Sequence, residues 1–182
     1  MNYYKTVILK DNTKCLLRNA READAELVHD NFQQTHGETD FLLTYPDENS
    51  FNIEQEKAIL LEKENSRNEI ELCAFVGEYL VGGAGIEKVG SKDKVKHRAE
   101  AGISIAKAYW NKGIGRALME ACIECARQAG YLQLELEVVS TNVGAIALYK
   151  SVGFLEYGRN PRGFRSRSQG WQEIVLMRLE LD

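Results

Sequence analysis

The sequence predicts a single mixed α/β domain over residues 1–182. Segments with alternating apolar and polar residues, typical of strands, are interspersed with segments whose apolar residues recur at helical spacing. The chain is long enough for one full hydrophobic core but short for two, and it contains no repeat, low-complexity tract or linker. A strand–helix–strand–helix–strand unit runs from residue 99 to about 160, which is typical of an α/β domain.

The first half of the chain predicts a hairpin, two helices and a second hairpin. Apolar residues of "KTVILKDNTKCLLRNA" flank a turn at residues 11–13. "READAELVHDNFQQTHG" predicts a helix ending at Gly37, and "SFNIEQEKAILLEKENS" predicts one from Ser50 with Phe51, Ala58 and Leu61 on its apolar side. "EIELCAFVGEYLVGGAGIEKV" then predicts two strands, and "SKDKVKHR" a charged loop at the tip of a hairpin.

The second half predicts a strand at residues 99–106, a long helix ending at Gly130, a strand in "YLQLELEVVS" and a short helix ending at Gly153. Two final strands flank a predicted basic loop, "GRNPRGFRSRSQG". The long helix, "GIGRALMEACIECARQAG", places one set of residues on a single apolar face: Ile114, Leu118, Ala121, Cys122, Cys125 and Ala129.

Composition and charge exclude several classes of function. The formal net charge of −4 argues against a general nucleic-acid binder, which relies on Lys and Arg to neutralise phosphates. The start, "MNYYKTVILKDNTK", has no apolar run long enough for a signal peptide or a membrane span. The four cysteines do not form closely spaced pairs of a disulfide framework. We therefore expect a soluble cytoplasmic protein with no nucleic-acid or membrane partner.

The stretch "YWNKGIGRAL" places Gly113 and Gly115 between two basic residues, directly before the long helix. A helix start has unpaired backbone N–H groups and partial positive charge, so a glycine turn there can hold a phosphate. A glycine turn needed only for packing fits this stretch equally well. A P-loop is unsupported because no Gly-Lys-Ser/Thr follows, and the third glycine of a dinucleotide fingerprint is missing.

The run "AEAGISIAKAYWNKGIGRALMEACIECARQAGYLQLELEVVSTNVGAIALYKSVGF", residues 99–154, resembles the acetyl-CoA-binding core of the GNAT family of N-acetyltransferases. The strand, the glycine turn, the helix, the next strand and then Asn142, Ala145, Tyr149 and "GF" fall at the family's spacing. The resemblance implies one GNAT domain over residues 1–182, with a mixed, mostly antiparallel sheet of about seven strands flanked by helices on both faces. It also implies acetyl-CoA as co-substrate and no metal.

The same resemblance implies where acetyl-CoA binds. The pyrophosphate would lie on the backbone of the glycine turn and the first helical turn: Lys112, Gly113, Ile114, Gly115, Arg116 and Ala117. The pantetheine arm would lie along Ile103, Ser104 and Ile105, where the N–H of Ile105 would polarise the thioester carbonyl, and would reach Asn142 and Ala145. Trp110 stands where the family usually has Gln or Arg, so we expect one side-chain contact to be weaker.

Two residues are candidates for proton transfer. An alkylamine is neutral in only about one molecule in a few thousand at pH 7, so a base is useful. Glu100 lies where related histone-acetylating enzymes carry their base glutamate, although a solvent-facing strand glutamate is the alternative. Tyr149 corresponds to a tyrosine that donates a proton or hydrogen bond to the departing coenzyme A sulfur; a packed helix tyrosine is the alternative. Asn142 also fits a helix N-cap.

Other polar clusters give no single prediction of the acceptor. Glu135 and Glu137 share one strand face and could bind a cationic amine, although a solvated face is the favoured interpretation. An arginine cluster near the C-terminus could instead receive an acidic substrate or a coenzyme phosphate; its members are Arg159, Arg162, Arg165 and Arg167. Cys122 and Cys125 are predicted to be core residues, and the three histidines, His29, His36 and His97, show no ligand spacing.

The sequence therefore predicts an acetyl-CoA-dependent N-acetyltransferase that modifies a primary amine, with a small molecule as the favoured acceptor, by direct attack in a ternary complex. Acetylation of a protein N-terminus or lysine is the alternative within enzymes. A non-catalytic acyl-CoA-binding sensor and a nucleotide-binding domain are alternatives from other classes. A homodimer stays open, because family members are often dimers but no exposed apolar stripe identifies an interface.

Overall fold

The computed structural model describes residues 1–181. Its strands and α-helices follow the order β1 (Tyr4–Ile8), β2 (Lys14–Asn19), α1 (Ala25–Gly37), α2 (Ile53–Asn65), β3 (Ile70–Val76), β4 (Tyr79–Lys88), β5 (Arg98–Ile105), α3 (Ile114–Gln128), β6 (Gln133–Val139), α4 (Val143–Ser151), β7 (Leu155–Ser166) and β8 (Gly170–Glu180). Within these residues, no helix has the length and apolar character needed to cross a membrane.

All the strands belong to one sheet with the order β1-β2-β3-β4-β5-β6-β8-β7. Neighbouring strands pair antiparallel except β5 and β6, which are parallel. The predicted mixed, mostly antiparallel sheet is confirmed, with eight strands in place of about seven. The parallel pair arises because α3 connects β5 to β6 as a crossover.

The larger core lies between one face of the sheet and α3. Leu72, Ile86 and Leu134 from three strands are fully buried there, together with Leu118 and Cys122 of α3. The predicted apolar face of α3 is therefore confirmed. The helix ends where predicted, because Gly130 adopts a φ of +81°, a conformation in which glycine avoids the strain of a side chain.

A smaller core covers the opposite face of the sheet. Cys73 and Phe75 alternate along β3 with residues of the larger core, so they point to the other side, towards α1 and α2. The prediction for α2 is wrong in its start and its apolar side. The helix begins at Ile53 after an Asn52 cap, and Leu60 is buried while the predicted Leu61 is exposed.

Of two predicted hairpin connections, the structure confirms one and corrects the other. The β1–β2 turn is confirmed: Asn12 has a φ of +64°, and the Thr13 N–H donates to the Asp11 carboxylate at 3.1 Å. The predicted basic loop near the C-terminus is wrong, because β7 continues to Ser166 and β8 starts at Gly170. Its arginines therefore lie mostly on a long hairpin.

Candidate active site

A cleft opens where β5 and β6 separate. The two strands pair only over residues 98–100 and 133–135, and beyond this point they have no ladder between them. The resulting cleft has a volume of about 1100 Å³ and is lined by β5, β6, the start of α3, α4 and the loop after α1. It is large enough for a cofactor and a small second ligand together.

One edge of β5 faces this cleft with its backbone groups exposed. In an antiparallel ladder, successive residues direct their N–H and C=O groups to alternate sides. The Arg98 carbonyl accepts from Val89 at 3.1 Å, and the Ala106 N–H donates to Val81 at 2.9 Å, so the even-numbered residues bond to β4. Ile103 and Ile105 therefore direct their N–H groups into the cleft, where no strand pairs with them among the described residues.

Trp110 closes the end of this edge. Its indole N–H donates to the Ile105 carbonyl at 2.7 Å, which occupies the last backbone acceptor of β5. The residue that departs from the family pattern thus has a structural contact at the end of the strand.

The first turn of α3 presents free N–H groups at the other end of the cleft. The first intrahelical bond is donated by Ala117 to Gly113 at 3.1 Å, so Ile114, Gly115 and Arg116 have N–H groups without an intrahelical acceptor. Gly113 precedes the helix with a φ of +101°, and a Cβ added there would have only the Lys10 side chain within 4 Å, at 3.8 Å. The turn therefore leaves open space in front of a positively polarised helix end.

Gly115 has a different structural reason. A Cβ at this position would lie 3.1 Å from the Leu148 side chain and 3.2 Å from that of Ile105. The absence of a side chain lets α3 approach both α4 and β5 closely. The packing interpretation of the motif therefore applies to Gly115, and the open turn applies to Gly113.

The side chains around this turn contribute unequally. Arg116 lines the cleft and bonds to Glu120 at 2.8 Å, whereas Lys112 turns away to pair with Asp11 at 3.2 Å. Ile114 is buried and Ala117 packs against the core. Of the predicted phosphate-site residues, Gly113, Gly115 and Arg116 line the cleft, while Lys112, Ile114 and Ala117 have only their backbone near the turn.

The residues from α4 reach the cleft from its far side. Asn142 is the N-cap, and its side-chain oxygen accepts the Ala145 N–H at 3.2 Å, which confirms the capping prediction. Tyr149 is 6% exposed, lines the cleft and packs against Phe154, yet its hydroxyl has no hydrogen-bond partner among the described residues. Burial raises the pKa of Tyr149 well above its usual value, with Cys122 adding to the shift, so the hydroxyl keeps its proton.

Acidic side chains form the floor of the cleft on the α1–α2 side. Glu87, Glu100 and Glu135 are paired across β4, β5 and β6, so they lie on one face, and Glu71 and Glu137 also line the cleft. Two of the five carboxylates, Glu71 and Glu87, contact Lys63, at 3.0 Å and 2.7 Å. The excess of carboxylates gives this floor a negative potential.

Glu135 and Glu100 differ within this floor. Glu135 is 6% exposed and forms a bidentate pair with Arg98, at 2.7 Å for the longer contact. The favoured prediction of a solvated face is therefore wrong for Glu135, while Glu137 is exposed. Glu100 is exposed and has no ion pair among residues 1–181.

The roof of the cleft consists of the α1–α2 loop and the β7–β8 hairpin. It was not predicted from the sequence. Asp40 joins them: its carboxylate accepts from the Ser166 hydroxyl and from the Tyr45 hydroxyl, the latter at 3.0 Å. Arg167 adds an ion pair to Asp47 at 2.7 Å. The apolar side chains of the roof are Phe41, Leu42, Leu43, Tyr157 and Phe164. Apolar residues in a polar loop, "TDFLLTYPDEN", were the available signal.

The arginine cluster does not reach the cleft. Arg159 pairs with Glu156 at 2.6 Å and Glu173 at 2.7 Å, and Arg167 belongs to the hairpin contact above. Arg162 and Arg165 each lie 5.5 Å from the centre of the Trp171 ring. None of the four lines the cleft, so the structure does not bring them to the predicted phosphate or substrate position.

His36, for which the sequence predicted no role, also lies in the cleft. It lines the cleft at the end of α1, and its ring stacks on Phe32 with a centroid distance of 3.7 Å. Its Nδ1 lies 3.0 Å from the Phe32 carbonyl oxygen. Burial lowers the pKa of His36 below its usual value, so the ring is neutral near pH 7. His29 and His97 do not line the cleft.

The two cysteines of α3 lie in the larger core, as predicted. Cys122 and Cys125 are at most 1% exposed, and burial raises the pKa of each thiol. Protonated, buried thiols are neither nucleophiles nor metal ligands. The polar groups that the cleft presents are therefore its backbone groups and the side chains of Tyr149, His36 and the acidic floor.

Comparison with known proteins shows the family of this chain. Residues 28–154 match the family model described as "Acetyltransferase (GNAT) family". The chain is 35% identical over 79 residues to the [ribosomal protein bS18]-alanine N-acetyltransferase of Escherichia coli, covering 43% of this chain and 53% of that protein. It is 37% identical over 89 residues to the N-alpha-acetyltransferase RimI of Mycobacterium tuberculosis, covering 49% and 54%. The chain thus spans about half the length of these relatives.

Solved structures match over nearly the whole chain. An acetyltransferase of the GNAT family from Streptococcus pneumoniae superposes with a TM-score of 0.87 and 30% identity, covering 92% of this chain and 99% of that one. The structure of yncA from Salmonella typhimurium with its cofactor acetyl-CoA superposes with a TM-score of 0.80 and 22% identity, covering 92% and 94%. The second comparison shows a common fold.

Proposed function

Because the chain belongs to the GNAT acetyltransferase family, we propose that it transfers acetyl from acetyl-CoA to the primary amine of a small molecule. The observation that carries this proposal is the open backbone edge of β5, which lies in one cleft with the unpaired N–H groups at the start of α3. An extended acyl-pantetheine arm and its pyrophosphate need those two features, and neither has a partner within residues 1–181.

Acetyl-CoA would bind mainly through backbone groups. The pyrophosphate accepts from the N–H groups of Ile114, Gly115 and Arg116, and the pantetheine pairs with Ile103 and Ile105 as an added strand would. The thioester carbonyl then accepts from the Ile105 N–H, which stabilises the negative charge that develops on that oxygen when the amine attacks. The carbonyl of the same residue, Ile105, accepts from the Trp110 indole N–H.

The reaction requires the acceptor ammonium to lose two protons. One leaves before attack, because only the neutral amine has a lone pair, and the second leaves the nitrogen once the C–N bond has formed. The C–S bond then breaks, and the leaving thiolate takes a proton from Tyr149, whose hydroxyl is protonated and unpaired in the cleft. Glu100, roughly 16 Å along the strand from Ile105 at about 3.3 Å per residue, would receive the other proton through water.

The acceptor proposed here is small and cationic. Five glutamates line the cleft; Lys63 contacts two of them and Arg98 pairs with Glu135. Glu100 and Glu137 have no ion pair among residues 1–181, and their charge favours an ammonium group. The roof contributes apolar side chains and is fastened across the cleft by Asp40. A cleft bounded by this roof suits a molecule that enters it better than a folded protein surface.

A second candidate is acetylation of a protein N-terminus. It is favoured by the 35% identity to a [ribosomal protein bS18]-alanine N-acetyltransferase and the 37% identity to an N-alpha-acetyltransferase. A flexible peptide could enter below the roof where a folded surface could not. The two candidates differ in whether a free amino acid or polyamine suffices as acceptor.

The test is free-thiol release from acetyl-CoA with polyamines, amino acids, aminoglycosides and short peptides as acceptors. We expect release with one amine class, reduced in Glu100→Gln and Tyr149→Phe at unchanged acetyl-CoA affinity by calorimetry. Release with peptides alone would replace the small-molecule acceptor with a protein. Acetyl-CoA binding without release for any amine would favour a sensor module, and equal binding of ADP would favour a nucleotide-binding domain.

A further inference from the structure

We infer that His36 is a catalytic residue of this site, whose Nε2 takes a proton directly from the acceptor amine. The inference rests on the proposed N-acetyl transfer and adds to it a proton acceptor that the sheet does not carry. His36 lines the cleft from the last turn of α1, directly before the loop that forms part of the roof, and not from the sheet that carries Glu100.

Hydrogen bonding fixes the tautomer of the ring. The Phe32 carbonyl oxygen, 3.0 Å from Nδ1, can only accept, so Nδ1 must carry the hydrogen. The Thr35 hydroxyl donates to the Asn31 carbonyl at 2.8 Å, which leaves its oxygen as a further acceptor 3.2 Å from Nδ1. A neutral imidazole with hydrogen on Nδ1 has its lone pair on Nε2. That lone pair is the basic atom of the residue.

The free edge of the ring is the one available to the cleft. One face of the imidazole is covered by Phe32, and Nδ1 points back to the helix backbone. Nε2 has no hydrogen-bond partner within residues 1–181, and it is not among the buried polar atoms that lack one, so a ligand or water can reach it. Burial lowers the pKa of His36, which keeps Nε2 unprotonated near pH 7.

Two contacts join the end of α1, which carries His36, to the C-terminal end of β5, where the thioester carbonyl is proposed to bind. The Lys107 N–H donates to the Glu38 carboxylate at 2.6 Å, which joins the end of α1 to the residue two after Ile105. Phe32, on which His36 stacks, lines a small cavity together with Ser104. His36 is thus joined to the reacting end of β5, whereas Glu100 lies five residues away along that strand.

The proton balance gives each group one step. The ammonium N–H bond breaks as Nε2 takes the proton, and the neutral amine that remains attacks the thioester carbonyl. The imidazolium then passes this proton to water in the cleft, from which Glu100 and the acidic floor lead to solvent. The second amine proton replaces the one that Tyr149 gives to the thiolate. Glu38 is the nearest carboxylate in sequence, but the Lys107 amide occupies it.

The experiment uses the acceptor with the highest thiol release in the panel above, at saturating acetyl-CoA. His36→Asn is the matched variant, because the asparagine amide can donate to the Phe32 carbonyl but has no basic nitrogen. We expect kcat to fall by about 100-fold or more, the range lost with a general base, at unchanged acetyl-CoA affinity. Added imidazole should raise the kcat of His36→Gly, because the missing ring leaves space that opens to the cleft.

Each result separates this inference from the function on which it rests. A His36→Asn kcat within about threefold of wild type, for an amine that the wild type acetylates, would overturn the role of His36 and leave the transferase intact. Wild-type protein that acetylates no amine would overturn both. Long-range ¹H–¹⁵N correlation spectra of the wild type without acceptor should show hydrogen on Nδ1; hydrogen on Nε2 would also overturn the inference.

Discussion

Replacing Gly113 with alanine tests whether the turn before α3 is needed for the fold alone or also for acetyl-CoA. Its φ of +101° lies in the left-handed region, where an L side chain costs about 1–2 kcal/mol. The nearest atom to a Cβ is 3.8 Å away, so the cost comes from the backbone and not from a clash. We expect a loss of about 1–2 kcal/mol, a decrease in Tm of roughly 2–8 °C for a chain of this size.

The same substitution should weaken acetyl-CoA binding. If alanine draws the turn towards ordinary φ values, the N–H groups of Ile114 and Gly115 no longer converge on the pyrophosphate. A hydrogen bond to a charged group contributes about 1.5–3 kcal/mol, so the loss of one raises Kd by about 10- to 100-fold. Isothermal titration calorimetry with acetyl-CoA measures this change, and thermal unfolding measures the stability.

Gly130→Ala is the matched control. Gly130 lies at the other end of α3 with a φ of +81° and no atom within 4 Å of a Cβ, so its backbone strain is similar. It should lose about the same stability while keeping the wild-type Kd for acetyl-CoA. Equal Kd values for the two variants would refute the anion-binding role of the Gly113 turn and leave a packing role alone.

Four further predictions concern single contacts. Tyr149→Phe should lower kcat with little change in Tm, because the hydroxyl has no partner in the fold; a large decrease in Tm would contradict this. Asn142→Ala should cost about 1 kcal/mol through loss of the helix cap, measured by urea unfolding, whereas Asn142→Asp should retain most of it. Asp40→Asn and Ser166→Ala, which weaken the link across the roof, should raise KM for the amine and leave the Kd of acetyl-CoA unchanged; an unchanged KM would separate the roof from acceptor binding. Burial holds the folded-state pKa of His36 below its usual 6.5, so the unfolded chain binds the proton first as pH falls. The free energy of unfolding should therefore decrease below about pH 6.5, and His36→Asn should reduce that decrease when unfolding is measured across pH.

The sequence predicted the parts of the fold whose signals are local. The apolar face of α3 and the stops at Gly130 and Gly153 each depend on residues within one element, and the structure agrees with them. The strand β6 also forms, but its burial does not alternate, because Glu135 is buried together with Leu134 and Leu136. The weaker pattern of α2 misplaced its buried side, because Leu60 and Leu61 are adjacent in one apolar run and packing against β3 buries Leu60 and not Leu61.

The parts of the site that the sequence did not predict depend on distant residues. Asp40 and Ser166 are 126 residues apart, and nothing local to either indicates that they bond. Glu135 looked solvated because its neighbours alternate in polarity, and its burial results from Arg98 on the adjacent strand. His36 showed no ligand spacing in the sequence. The role that we infer for it depends on a single ring, held by its own helix, in a cleft that only the fold creates.

The proposed reaction moves an acetyl group from acetyl-CoA to an amine nitrogen in this cleft. Nuclear magnetic resonance with acetyl-CoA labelled with ¹³C at the carbonyl follows that transfer directly. We predict that the thioester carbonyl signal decreases as an amide carbonyl signal of the acceptor increases in equal amount. Loss of the thioester signal to free acetate alone, or a thioester signal that persists with every acceptor while acetyl-CoA is bound, would contradict the account.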